Sequence, residues 1–273
     1  MDRRILAKQL SAIENGEMKV PDSSGNIIAI TGPPGIGKSC LVDGLLQRLT
    51  PALKVAVLAV DPTSPLSGGA LLGDRIRLSV LDDKTKSDSI YVRSVATRSS
   101  SGSMPSIVQG LASHLLANAF DMVLIETVGA GQSEMRCAAV ANRIIVVEGP
   151  ARGDSVQAEK AGLLELADLI VVNKADLEGA DRVINDLTIS LTINEDAPPI
   201  VKTSAITGEG LDELAEKVTN LEERTSSRRA RCRQKLLMAH ENILIENPLF
   251  EGILDRMSQE GLELVDALRE LSE

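Results

Sequence analysis

The sequence predicts an α/β chain: a doubly wound, mostly parallel sheet with a short N-terminal helix and a C-terminal helical tail. Three observations predict it. Short, β-branched-rich apolar runs occur at 27–31, 55–60, 122–125, 144–147, 169–172 and 200–201, as expected of strands buried on both faces. Between them lie stretches of helical period at 38–49, 105–118, 132–141, 155–166, 181–193 and 211–221. Strand-helix alternation implies parallel order, because a parallel connection needs a crossover long enough for a helix. The third observation is a change of texture at the two ends. Residues 2–17 have the period of a short helix, with Ile5, Leu6, Leu10 and Ile13 as its apolar positions, and Pro21-Asp22-Ser23-Ser24-Gly25 reads as a turn. Residues 222–233 are highly charged, and 236–246 and 249–271 are helix-like, with interruptions at Asn247-Pro248 and near Gly261. The expected division is therefore 1–24, a helix and linker; 25–221, the α/β domain; and 222–273, a helical tail that can act as a dimerisation arm.

Composition narrows the function. The chain has 273 residues, 43% of them apolar, enough for a sizeable core. Only 1% are aromatic and none is Trp, which argues against single-stranded nucleic-acid binding by base stacking. A net charge of -10 opposes a general grip on nucleic-acid backbones or anionic membranes. The three cysteines, Cys40, Cys137 and Cys232, are far apart, which suits a reducing cytosol. His114 and His240 are isolated. No signal peptide is expected at the start, and no apolar run approaches membrane-spanning length.

The chemistry begins after the first strand. Gly32-Pro33-Pro34-Gly35-Ile36-Gly37-Lys38-Ser39 fits G-x-x-x-x-G-K-[ST], with a strand before it and a helix after it. Glycines let the backbone curl so that N–H groups face phosphate oxygens. The helix N-terminus, carrying Ser39 and Cys40, adds a favourable dipole. Lys38 is expected on the β- and γ-phosphates, and the Ser39 hydroxyl on Mg2+.

A second motif reads the base. The run 169–172 leads into Asn173-Lys174-Ala175-Asp176. A carboxylate at Asp176 can accept from guanine N1–H and its exocyclic amine, and adenine leaves that charge unpaired. Lys174 can lie along the base, and Asn173 can tie loops together. Thr203-Ser204-Ala205 follows the last strand, where a Ser204-Ala205 turn can offer backbone N–H to guanine O6. Three motifs in this order imply GTP and GDP as ligands.

Magnesium is expected on Ser39, Asp61, Asp74 and Glu126, directly or through water. Glu126-Thr127-Val128-Gly129 ends one strand, and Gly129 can give its N–H to the γ-phosphate. Asp61-Pro62 ends another, with a turn as the plainer alternative. Asp74 lies in Gly73-Asp74-Arg75-Ile76-Arg77, a candidate switch. Ala130 stands where Ras-like enzymes carry a water-orienting Gln, so hydrolysis should be slow without a partner.

The chain resembles the MeaB/ArgK GTPases, which accompany cobalamin-dependent acyl-CoA mutases such as methylmalonyl-CoA mutase. The matching stretches are GPPGIGKS, VDPTSPLSGGALLGDRIRL, ETVGAGQSE, VVNKADLEGA and TSAITGEGLDEL, spanning about 25 to 221. The resemblance implies a further switch in Gly153-Asp154-Ser155-Val156-Gln157-Ala158-Glu159-Lys160. There Asp154, Gln157 and Lys160 would couple nucleotide state to the mutase and, with Lys38 and Glu126, serve stimulated hydrolysis. It also implies a homodimer, a mutase partner with its adenosyltransferase as a second candidate, and a GTP-driven chaperone role in loading adenosylcobalamin. No Asp-x-His-x-x-Gly motif occurs, so no directly bound cobalamin is expected. Residues 92–99, Pro105 and Glu148 depart from the family pattern. Arg228, Arg229, Arg231 and Arg233 can contact a partner or form a solvated face. Rival readings are a nickel- or metal-insertion GTPase, which would want a Cys/His cluster, a non-catalytic nucleotide switch, and an ArgK-type amino-acid transport kinase.

Overall fold

The structure is a computed structural model that describes residues 2–18, 25–62, 78–97, 104–127, 136, 140–150, 157–191, 196–245 and 247–272. Its strands are β1 (Ile27–Thr31), β2 (Val55–Pro62), β3 (Ile90–Thr97), β4 (Met122–Thr127), β5 (Arg143–Glu148), β6 (Leu169–Val172) and β7 (Ile200–Lys202). They form one sheet in the order β3-β2-β4-β1-β5-β6-β7, and every pair in it is parallel. The doubly wound parallel sheet expected from the sequence is present. After β1 the chain fills one side of the sheet, then crosses to the other at β5. The strand order therefore reverses at β1, the place where such sheets open a crevice beyond the carboxyl ends of their strands.

The helices are α1 (Arg3–Glu14), α2 (Lys38–Leu49), α3 (Lys84–Ser87), α4 (Met104–Ala117), α5 (Gln157–Leu166), α6 (Ala180–Leu191), α7 (Leu211–Thr219), α8 (Thr225–Ile245), α9 (Phe250–Gln259) and α10 (Leu264–Ser272). Successive strand residues face opposite sides, so each strand feeds two cores. Ile27 and Ala29 join Leu10 of α1 and Leu111 and Leu115 of α4 on one face. Ile28 and Ile30 join Leu41 and Leu45 of α2 and Leu214 of α7 on the other. Burying one such aliphatic side chain stabilises the fold by roughly 1.5–3 kcal/mol.

The sequence reading missed β3. Its central residues Tyr91, Val92, Arg93 and Ser94 are partly buried and polar-interrupted, as an edge strand allows, whereas the other strands are continuous apolar runs. Arg93, in the stretch that departs from the family pattern, docks the N-terminal helix. Its Nε and Nη2 donate to the Glu14 carboxylate at 3.0 and 2.6 Å, and Nη2 also donates to Ser11 Oγ at 3.0 Å. That pairing holds the Arg93 guanidinium above its ordinary pKa. The helix expected at 132–141 lies largely outside the described residues. The expected tail helix at 236–246 begins earlier, at Thr225, and the stretch 249–271 is broken into α9 and α10 near Gly261, whose φ is +73°. Arg256 joins them by donating to both Glu270 oxygens at 2.6 and 3.0 Å.

The tail is fastened to the sheet by a buried ion pair. Asp168, 1% exposed, precedes β6. It accepts from Ile144 N–H at 2.8 Å, Arg224 N–H at 2.9 Å and Ser227 Oγ at 2.8 Å. Both Nη atoms of Arg231 also donate to it. Arg231 is 2% exposed, and its Nη2 lies 3.0 Å from Glu223. Arg228, Arg229 and Arg233 are exposed on the same helix. Arg231 is therefore neither a solvated nor a partner-facing charge; it is the anchor of α8. Removing one partner of such a pair strands the other charge in a dry site. Arg231→Ala is expected to cost about 3–5 kcal/mol in chemical denaturation, whereas Arg233→Ala on the exposed side should stay within about 0.5 kcal/mol of wild type.

Candidate functional site

The phosphate loop joins the carboxyl end of β1 to α2, and its backbone explains its glycines. Gly32 has φ +142°, and a Cβ there would meet Val147 O of β5 at 2.2 Å. Gly37 has φ +96° and precedes the helix, and a Cβ there would meet Asn173 Nδ2 at 2.6 Å. Gly35 also has positive φ, +74°, and stands open. Only glycine meets both the left-handed backbone and the close approach. Pro33 and Ile36 are buried, Pro34, Ser39 and Cys40 exposed. Cys40 is a free thiol.

Lys38, 7% exposed, folds over the loop: its Nζ donates to the Gly32 carbonyl at 2.6 Å and the Pro33 carbonyl at 3.0 Å. These carbonyls hold the ammonium over the curl of the loop, within the space where phosphate oxygens would take the same donors. Ser39 Oγ donates to Glu126 Oε1 at 2.5 Å. A hydroxyl and a carboxylate converging at a phosphate loop are hard oxygen donors, and so few of them suit a cation that keeps several waters. That is the habit of Mg2+, so the residues fit the ion. When bound, it would neutralise charge on the phosphate oxygens. Asp61 closes β2, with its side chain outside the described residues. Asp74, Gly129 and Asp154 lie wholly outside them. Gln157 and Lys160 open α5, and their side chains also lie outside.

The base loops converge on one side chain. Asn173, 1% exposed, donates from Nδ2 to the Ile36 carbonyl at 2.9 Å. Its Oδ1 accepts from Thr203 Oγ1 at 3.2 Å and from Ala205 N–H at 3.1 Å. The phosphate loop, the Asn173–Asp176 loop and the Thr203–Ala205 loop are thereby bound into one unit. Lys174 sits at φ +62°, a strained value for a residue with a side chain. Asp176 is exposed, and its Oδ1 accepts from Ser204 Oγ at 2.5 Å. Ser204 Oγ in turn accepts from Thr207 N–H at 3.2 Å. The Asp176 carboxylate is thus held by a hydroxyl that is itself fixed, while the Ala205 N–H is engaged by Asn173.

Three supporting residues went unread in the sequence. Gly149 follows β5, and a Cβ there would lie 2.7 Å from both Asn173 O and Ile36 Cδ1. Its signal was a glycine at a strand's carboxyl end. Thr31 and Thr127 close β1 and β4 and are joined by a hydrogen bond of 3.0 Å; no spacing rule marks such a pair. Gly149→Ala would push against the Asn173 backbone, a strain of about 1–3 kcal/mol. Guanine-nucleotide affinity is expected to fall about tenfold or more by fluorescence titration, with circular dichroism little changed.

The family model of the methylmalonyl-CoA mutase-associated GTPase MeaB matches residues 17–259. A Pyrococcus horikoshii protein named as a GTPase is 42% identical over 234 residues, which cover 80% of this chain and 73% of that protein. A protein from Cupriavidus metallidurans named fused isobutyryl-CoA mutase is 32% identical over 209 residues, covering 71% of this chain but 19% of that protein. Among solved structures, one titled LAO/AO transport system kinase superposes with a TM-score of 0.59 at 22% identity, covering 100% of this chain and 98% of that one; this likeness bears on the fold. By the family match over most of its length, the chain belongs to the methylmalonyl-CoA mutase-associated GTPases.

Proposed function

We propose that this protein hydrolyses Mg2+-bound GTP to gate or protect the loading of adenosylcobalamin into a cobalamin-dependent acyl-CoA mutase. The observation that carries the nucleotide half is the Asn173 knot, which ties the phosphate loop at Ile36 to the loop of Thr203 and Ala205 beyond the carboxyl ends of β1, β6 and β7. The mutase half is supported by the family description and by the Cupriavidus metallidurans relative, whose name joins a related segment to an isobutyryl-CoA mutase in one chain.

Each side chain has a task in this reading. Lys38 and the amides of Gly35 and Gly37 spread positive charge over the phosphates, and Ser39 and Glu126 hold Mg2+. Asp176 accepts from guanine N1–H and the 2-amino group. Water is the nucleophile, and positioning with electrostatic stabilisation supplies the catalysis. Gly129 would contact the γ-phosphate, and Asp61 and Asp74 would complete the magnesium shell. Asp154, Gln157 and Lys160 would respond to the mutase. The protein works as a homodimer through its tail, where Leu236, Leu237, Ile243, Leu249 and Leu264 are all more than half exposed and available for burial against a second copy.

Asp176→Asn exchanges the acceptor for a group that suits xanthine. The variant is expected to lose GTP affinity by about a hundredfold or more, as for a charged hydrogen bond broken in a binding site, and to gain affinity for xanthosine triphosphate. Unchanged GTP binding by calorimetry would remove the base-reading assignment. A tagged protein purified from native cells is expected to bring down an acyl-CoA mutase and to turn GTP over faster in its presence. Rates equal with and without the mutase would end the gating proposal, and radiolabelled phosphate on a transport protein would favour the kinase reading.

A further inference from the structure

We propose that the buried hydroxyl pair Thr31–Thr127 is a positioning device for the magnesium-binding pair Ser39 and Glu126, acting from the opposite face of the sheet. The inference rests on the GTP reading of the site.

The argument begins with the ladder. β1 and β4 pair in parallel with Ile30 opposite Glu126, so Thr31 and Thr127 are the next residues on the two strands. They are also the last strand residues before the chains part, β1 into the phosphate loop and β4 into the segment that follows Glu126. Side chains alternate across a sheet. Ile30 lies among the residues packed with α2, and Glu126 reaches Ser39 on that helix. Thr31 and Thr127 therefore face the other way, toward the layer that contains Ile125, Ile144 and Leu111.

Both threonines are 1% exposed, and Thr127 Oγ1 donates to Thr31 Oγ1 at 3.0 Å. One hydrogen bond between two hydroxyls beside an apolar cluster is a poor source of stability. Replacing both by isosteric apolar groups is close to neutral, whereas removing one leaves its neighbour without the bond. What the pair does supply is geometry. A hydrogen bond at the last cross-strand position sets how far apart the two strand ends sit and how they are rotated. Ser39 follows from the end of β1 through the phosphate loop, and Glu126 is the residue just before Thr127. A rotation at Thr127 therefore swings Glu126 away from Ser39. Thr31 and Thr127 touch neither nucleotide nor metal in this account. They act through Glu126, as outer supports commonly aim inner ligands.

The test separates metal from nucleotide. Binding of a fluorescent, non-hydrolysable GTP analogue is measured as Mg2+ is raised, and again in excess chelator. Thr127→Val keeps the volume and removes the hydroxyl. It is expected to need about tenfold more Mg2+ for the same enhancement of binding, the loss typical of an outer-shell support, with the chelator-measured affinity within about twofold of wild type. Thr127→Ser keeps the hydroxyl and is expected to follow the wild-type Mg2+ curve. Thr31→Val/Thr127→Val leaves no orphaned hydroxyl, so it is expected to melt near wild type and still show the Mg2+ shift. A normal Mg2+ curve in the valine variants would overturn the inference, and so would a chelator-measured affinity that falls as much as the Mg2+-bound one. A wild-type chain that binds no guanine nucleotide would overturn the functional reading itself, and this inference with it.

Discussion

The amide of Asn173 is the interaction on which the site depends. It lies buried where three chain segments meet, and its donor and acceptor go to different loops: Nδ2 to the phosphate loop at Ile36, Oδ1 to Thr203 and Ala205. A buried amide left half satisfied would be costly, so the two contacts support one another. The consequence is that the spacing between the Gly32–Ser39 loop and the Thr203–Ala205 loop is set by contacts within the chain itself. Glycine at 37 and 149 follows from the same crowding, since a methyl group at either would strike Asn173.

The site's charge is arranged by the same economy. Lys38 rests on two carbonyls of its own loop, and the Ser39 hydroxyl rests on Glu126. Each of these groups already has its partner at the right distance, so nucleotide and metal would replace contacts rather than create order. This preorganisation is what electrostatic catalysis of phosphoryl transfer needs. At the far end of β6, Asp168 does comparable work for stability. One carboxylate gathers the start of β5, the approach to α8 and Arg231, so the short strand carrying Asn173 is fixed at both its ends.

The sequence made the phosphate loop, the Asn173–Asp176 loop and six of the seven strands legible. Each depends on local chemistry: glycines where φ must be positive, continuous β-branched runs where both sheet faces are covered, a carboxylate after a strand. It did not reveal β3, because Arg93 and Ser94 break the apolar run of this edge strand. It placed Arg231 among surface charges, because neighbouring arginines on a charged helix look alike until a partner is known. Glu148, an odd charge at a strand end in the sequence, is 5% exposed in the fold.

By itself, the sequence determined the alternation of strands and helices, the glycine-bearing loop between the first strand and its helix, and the Asn173–Asp176 motif after a buried strand. These follow from backbone sterics and from the hydrogen-bonding pattern of single side chains, and both act over a few residues. Only the tertiary structure decided that Thr31 bonds Thr127 and that Arg231 pairs with Asp168. It also decided that Gly149 must make room for Asn173. Those contacts join residues distant in the chain, and their partners are chosen by packing and by the exclusion of water, which no local spacing encodes.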